Sequence, residues 1–444
     1  MGVRAFLSVV SSAGEASTSG SRTSRAIVVG LLAIAGCSEQ QSPPTAPHRP
    51  AAESETNQRA DAPGLLVAQA QFEHEVDASG ELLITPGPAK LTVARRGDGE
   101  WVTEVVEDAD SNVFHKAMEI ALPGEGAELL TIGGNASPAP ALLKSWRRGS
   151  DGWVPSVVSG ATFGLRFNRY RDVEVGDLNG DGFPEIVVGA HDTGVVAVLH
   201  RSVGKHWATD LLDGSANTFV HEIELGDLDG DGRLEVFATP TAPNRMDRGS
   251  QPGRIMRYRM LETGWESSPV AVFQDRHAKE ILVADLDGLG HPDLFAAVEP
   301  PARGAPGEPM ETAIVRYRLD AGEWTDRTMA RIPASSCRFL VVGDVDSDGF
   351  PEMVAGCGRS GLWLMHPREP QWEVILLDDR STAVEMATVL ADFDGDGTAE
   401  IYVAADDQHM VRRYQWRGDG FQRSDLFALS DRTLTFGLMA TRGR

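Results

Sequence analysis

From residue 65 to the end, short apolar runs alternate with turn-rich stretches, and they recur in a fixed order. A run such as VEVG, IELG, ILVA, LVVG or ATVLA precedes a nine-residue acidic loop, and a second run such as EIVVGA, EVFAT or EIYVAA follows it. Runs of four to eight apolar and β-branched residues bounded by Asp and Gly read as strands, so each loop joins the two arms of a hairpin. The clear loops begin at Asp177, Asp227, Asp285, Asp344 and Asp392, spaced by 50, 58, 59 and 48 positions. An aromatic recurs after a Gly-containing or polar turn at Trp101, Trp153, Trp207, Trp265, Trp324, Trp372 and Phe421, and it counts the repeats independently of the loops. The two extra aromatics follow degraded loops at 121–129 and 73–81.

Each unit thus reads as strand, acidic loop, strand, turn, strand, turn and a strand led by the aromatic. Four antiparallel strands per unit of about 50 residues predict an all-β fold, a seven-bladed β-propeller of four-stranded blades around a channel. A linear solenoid would leave end strands open, which a closed ring avoids. Closure involves the termini: Thr433–Thr441 aligns with the strand preceding each loop and can complete the first blade beside Leu82–Thr85. Leu65–Ala70 competes for the same place.

The loop pattern Asp-x-Asp/Asn-x-Asp-Gly-x-x-Asp/Glu has the spacing of a calcium site. A hard divalent cation takes six to eight oxygens, so side chains at positions 1, 3 and 5 turn inward, position 7 offers its carbonyl, and Gly at 6 permits the turn. The sets are Asp177, Asn179, Asp181 and Glu185; Asp227, Asp229, Asp231 and Glu235; Asp344, Asp346, Asp348 and Glu352; and Asp392, Asp394, Asp396 and Glu400. The third loop has Asp285, Asp287 and Asp293 but Leu289 at position 5, and is expected to bind weakly or not at all. Four or five calcium ions are expected in all. Metal-free Asp/Gly turns would leave crowded carboxylates with nothing to offset their repulsion.

The units GDLNGDGFPEIVVG, GDLDGDGRLEVFA and ADFDGDGTAEIYVA resemble FG-GAP/VCBS-type repeats, as in bacterial surface proteins and the integrin α-subunit propeller. The resemblance covers about residues 65–444 and implies calcium held by loop positions 1, 3, 5, 7 and 9, bracing adjacent strands of a blade. It fixes no ligand or reaction.

Ahead of this body, residues 26–36 (AIVVGLLAIAG) follow Arg22 and Arg25 and are too short to span a bilayer, which suits a signal-peptide core. Ile34-Ala35-Gly36-Cys37 resembles a bacterial lipobox, with Cys37 the lipidated residue. Ser38 lacks the acidic character of an inner-membrane retention signal, so an outer-membrane lipoprotein is expected. Residues 38–62 are rich in Pro, Ala, Ser and Gln and read as a flexible tether. The divisions are 1–37 signal and lipobox, 38–62 tether, and 63–444 propeller.

The net charge of −24, from 41 basic and 65 acidic residues, disfavours nucleic-acid partners. Cys337 and Cys357 lie symmetrically about Ser347 and suit a cross-strand disulfide in an oxidising compartment. The Arg96-Gly97-Asp98 and Arg417-Gly418-Asp419 triplets fall where other repeats carry hairpin turns, and are read as turns. Six residues before each loop stand His115, Arg171, His221, Lys279, Arg338 and Met386, a mostly basic column on the strand expected to line the channel. It forms either a site for an anionic ligand at one mouth or a solvated ring offsetting the acidic loops. No nucleophile elbow, phosphate-binding glycine loop or zinc-ligand pair is present.

The favoured function is a non-enzymatic, calcium-rigidified surface scaffold binding protein or glycan through one face. The alternative is a polysaccharide lyase acting on an anionic glycan, with His221 or His277 as base and Arg171 or Arg338 neutralising the substrate carboxylate.

Overall fold

The computed structural model describes residues 62–442, apart from 98–99, 122–126, 163–167, 192, 202–206, 216, 244–250, 302–309 and 369–370. The lipobox with Cys37, all but the last residue of the tether, Asp98 and most of the degraded loop at 121–129 lie outside the described residues.

The strands follow in chain order. The first are β1 (Gly64–Val76), β2 (Leu82–Pro86), β3 (Ala89–Gly97) and β4 (Glu100–Asp108), followed by β5 (Val113–Ala121), β6 (Ala127–Asn135), β7 (Ala141–Gly149) and β8 (Gly152–Ala161). Next are β9 (Asn168–Gly176), β10 (Glu185–Ala190), β11 (Val196–Arg201) and β12 (Trp207–Asp213), then β13 (Phe219–Gly226), β14 (Glu235–Thr241), β15 (Gly253–Leu261) and β16 (Gly264–Phe273). β17 (His277–Ala284), β18 (Asp293–Glu299), β19 (Thr312–Asp320) and β20 (Glu323–Ile332) precede β21 (Cys337–Gly343), β22 (Glu352–Cys357), β23 (Gly361–His366) and β24 (Glu373–Asp378). The last are β25 (Thr388–Ala391), β26 (Glu400–Ala405), β27 (Met410–Trp416), β28 (Phe421–Ala428) and β29 (Thr433–Thr441).

From β5 onward, consecutive groups of four strands pair antiparallel in sequence order. Each acidic loop joins the first and second strands of its unit. The unit holding both ends is ordered β29, β1, β3, β4. The two terminal segments therefore do not compete: β29 takes the first position and Leu65–Ala70, within β1, takes the second. Leu82–Thr85 instead forms β2, a hairpin arm paired with the far end of β1. The 73–81 segment is consequently not a degraded counterpart of the acidic loops. It spans the end of β1 and a turn in which Asp77 accepts the backbone N–H of Ser79 and Glu81. In this unit the place of the acidic loop is where Thr441 meets Gly64.

Successive units share cores. The recurring aromatic stands within one residue of the start of each fourth strand and packs on the preceding unit. Trp324 meets Phe237 at 6.3 Å and Trp372 meets Phe295 at 5.8 Å. Trp101 packs on Phe393, Tyr402 and Phe427, so the core that holds Leu65, Val67 and Leu438 joins the last unit to the one containing both ends. First strands also touch in order, β5 to β9, β13, β17, β21, β25, β29 and back to β5. The Arg417-Gly418-Asp419 triplet lies in the β27–β28 turn, closed by Arg417 N–H to the Gly420 carbonyl at 3.0 Å.

Candidate metal loops and the axial charge cluster

The five loops share one backbone. The position-1 carboxylate accepts N–H groups across the turn: Asp177 from Gly180, Asp181 and Gly182, and Asp392 from Gly395, Asp396 and Gly397. Glycine at position 6 is left-handed throughout, as at Gly182 with φ 83°. Position 4 is left-handed as well, filled by glycine in four loops and by Ser347, φ 61°, in the fourth. The position-9 carboxylates begin the second strands and are buried, Glu352 and Glu400 at 1% exposure. In loops two, four and five, the carboxylates at positions 1, 3 and 5 offer oxygens within 4.8 Å of one another.

Cations from the third strand divide the loops. Facing position 9 across the ladder stand His200, Arg259, Arg318, His366 and Gln415 in loops one to five, as the adjacent pairs Ile186–Leu199, Val236–Tyr258, Leu294–Tyr317, Met353–Met365 and Ile401–Tyr414 require. In loop two, Arg257 bonds Asp229 and Glu235 while Arg259 reaches Asp229 at 3.2 Å. In loop three, Arg318 holds Asp287 at 2.8 Å and Asp293 at 2.6 Å. Asp229 and Asp287 are held below the ordinary range: burial opposes this, and the arginine hydrogen bonds outweigh it. Loop two, complete by sequence, therefore contains a built-in positive charge among its ligands. In loop five, Arg413 reaches Glu400 at 3.2 Å and Gln415 donates to Asp394.

Loops one and four have Val198 and Leu364 where loops two and five have Arg257 and Arg413. Burial, with the neighbouring aspartates, pushes Glu185 up and Glu352 up to about 7. Among the described residues no arginine offsets the charge repulsion there. His200 leans toward Asp210 at 3.7 Å, whereas His366 Nδ1 lies 3.5 Å from Glu352 and 3.9 Å from Asp346.

The basic column six residues before the loops sits at β-bulges. His115, Arg171, Lys279 and Arg338 are each the extra residue of a first strand, His221 and Glu222 together face Thr239, and Phe436 is the extra residue of β29. Met386 precedes β25 in a left-handed conformation. A bulge re-aims its side chain out of the strand's alternation, which accounts for the column's constancy. These side chains converge, partly to fully buried, on neighbouring carboxylates. Arg171 pairs with Glu385 at 3.0 Å, Arg338 lies 4.0 Å from Glu385 and 3.7 Å from Glu299, and Lys279 is 3.3 Å from Glu299. Glu299 also accepts from His277 at 2.8 Å and from Ser336. His115 bonds the Tyr170 carbonyl, and Phe436 packs against its ring. His221 is 2% exposed, its two ring nitrogens buried without hydrogen-bond partners, beside His191.

One step toward the loops lies an acidic tier. Lys116 pairs with Asp172 at 2.9 Å and with Glu174, while Asp172 and Glu280 accept the backbone N–H of Ile223 and Leu340 in the next units. Burial and mutual repulsion push Glu222, Glu224 and Glu280 well above the carboxylate range. The residues the sequence reading passed over are Lys116, Glu299, Glu385 and the third-strand column of Arg259, Arg318, His366 and Gln415. That column's signal is present: it falls six residues before the aromatic in four units and seven in the first.

Cys337 and Cys357 are direct cross-strand partners on β21 and β22 and form a disulfide.

A family model for the FG-GAP-like repeat matches residues 177–238, which contain loops one and two. A search of curated proteins finds no match. Among solved structures, a protein from Lactobacillus plantarum determined by a structural genomics consortium superposes with a TM-score of 0.54 at 11% identity. The match covers 85% of this chain and 99% of that one. Paired four-stranded units, a fold shared across nearly all of that neighbour, and an FG-GAP-like repeat matched over residues 177–238 support an FG-GAP-repeat β-propeller.

Proposed function

We propose that the protein is a seven-bladed propeller scaffold, stiffened by calcium in its acidic loops, that presents one face to a protein or glycan and is held at the outer membrane by lipid on Cys37. The observation that carries this reading is the loop set itself. Loops one and four bury carboxylates with no compensating arginine, at the same place in the unit as the arginine-filled loops two and three. A calcium ion supplies the charge that Arg257, Arg259 and Arg318 supply elsewhere. In loop two it competes with Arg257, and loop three, lacking a carboxylate at Leu289 and filled by Arg318, takes none. The four-stranded units support a reading of seven blades, and the circular order of first-strand contacts supports their closure.

The lyase alternative is less favoured. Arg171 and Arg338 already face Glu385, and both nitrogens of His277 are engaged, by Glu299 and the Gln251 carbonyl.

Calcium bound only by the folded chain adds about 2.7 kcal/mol per site at a hundredfold excess over Kd. Thermal unfolding in calcium is expected to lie at least about 5 °C above that in a chelator. Identical melting curves would sink the calcium reading.

A further inference from the structure

Loop four differs from the others in what faces it. His366, 9% exposed, ends β23 with its Nδ1 turned toward Glu352 and Asp346. Among the described residues it makes no hydrogen bond, its nearest partners lying at 3.5 and 3.9 Å in ion-pair contact only. With 11% of its side chain exposed and no hydrogen bond made among the described residues, the imidazole keeps a ring nitrogen available to a ligand facing these carboxylates. Asp344 Oδ1, at the same loop, is buried without a hydrogen-bond partner among the described residues. Ligand atoms of Asp346, Glu352 and His366 all lie within 4.8 Å of one another.

These separations suit atoms that share a small cation. With bonds near 2.0 Å, tetrahedral ligands stand about 3.3 Å apart. Calcium prefers oxygen throughout its shell, whereas a borderline cation takes imidazole nitrogen with carboxylate and keeps a place for water. Neither loop two nor loop three can do this, since arginine fills the corresponding position. Gln415 offers only an amide, and His200 is turned toward Asp210.

We propose that Asp346, Glu352 and His366 form a binding site for a borderline divalent transition-metal cation of the zinc class, with Asp344 as a further oxygen donor. This deepens the proposed function, resting on the reading of the acidic loops as cation sites, and makes one of them different in kind.

The test uses the metal-depleted full chain, titrated calorimetrically with zinc, with calcium, and with zinc in excess calcium. Cobalt(II) is added separately for its visible absorption. One zinc site that survives excess calcium is expected, with cobalt bands showing nitrogen ligation. His366→Gln should weaken zinc about tenfold or more while leaving the calcium isotherm unchanged. His366→Arg, copying loops two and three, should abolish zinc binding and retain the cation-free melting curve, which separates ligand loss from misfolding. An absence of zinc binding in the native chain, or a zinc isotherm unaltered by His366→Gln, overturns the inference. A flat calcium isotherm with zinc binding intact would overturn the calcium scaffold and support this site.

Discussion

At the scale of single residues, the axis holds more carboxyl groups than its cations neutralise. Glu222 meets Asp172, Glu280 and Glu224, with Lys116 the nearby cation. Burial and these neighbours raise its pKa, so the folded chain retains a proton that the unfolded chain has released. The resulting stability is complete below the unfolded value near 4.5 and is lost as pH rises through the folded value. Glu222→Gln keeps the shape and removes the ionisation. It is expected to raise stability by about 1 kcal/mol or more at pH 8–9 and to leave pH 4 unchanged, read from denaturant midpoints at both pH values. Equal effects at the two would refute it. The sequence displayed His115, Arg171, His221, Lys279 and Arg338 as a column because bulges recur at fixed distance from the loops. It could not display Glu299 and Glu385, which arrive from the end of a second strand and from the segment before β25, outside any column.

At the scale of elements, alternation and turn chemistry made the strands readable. Loops one to five, the aromatic-led fourth strands and the four-strand order all follow from apolar runs bounded by Asp and Gly. The first unit was misread at 73–81, where an Asp77-Ala78-Ser79-Gly80 turn imitates an acidic loop but joins β1 to β2. Metal competence was only half legible. Loop residues are contiguous and show themselves, whereas Arg257, Arg318 and His366 come from a third strand whose register the sequence does not print. The cysteine pair was legible because a hairpin centred near Ser347 puts residues 337 and 357 opposite each other. Replacing both by serine is expected to cost about 3 kcal/mol for a crosslink of this span, measured as a shift in denaturant midpoint. Reductant should reproduce the shift in the native chain and leave the double variant untouched, and any response of the double variant would count against that assignment.

For the whole molecule, the ring closes by hydrogen bonding β29 to β1 and by Asp406, which accepts the backbone N–H and the hydroxyl of Thr435, both at 2.7 Å. Asp406 is 7% exposed, and burial pushes its carboxyl up to about 6. Asp406→Ala strips two bonds from the closing strand and is expected to lose about 2–3 kcal/mol. Amide exchange in β29 should accelerate more than in β17–β20, and uniform acceleration would show that closure is not a separate element of stability. The repetition of four-stranded units was legible from the aromatics and loops, but the manner of closure was not, because β1 and β29 carry equally good strand patterns and only pairing distinguishes their places.

The meeting of Thr441 and Gly64 where another unit has its acidic loop also sets an orientation. The chain enters Gly64 at the rim that bears the acidic loops. If Cys37 carries a lipid, as proposed, the flexible tether joins that rim, and the bulged end of the axis, where Arg171, Arg338 and Glu385 gather, is the end remote from the attachment.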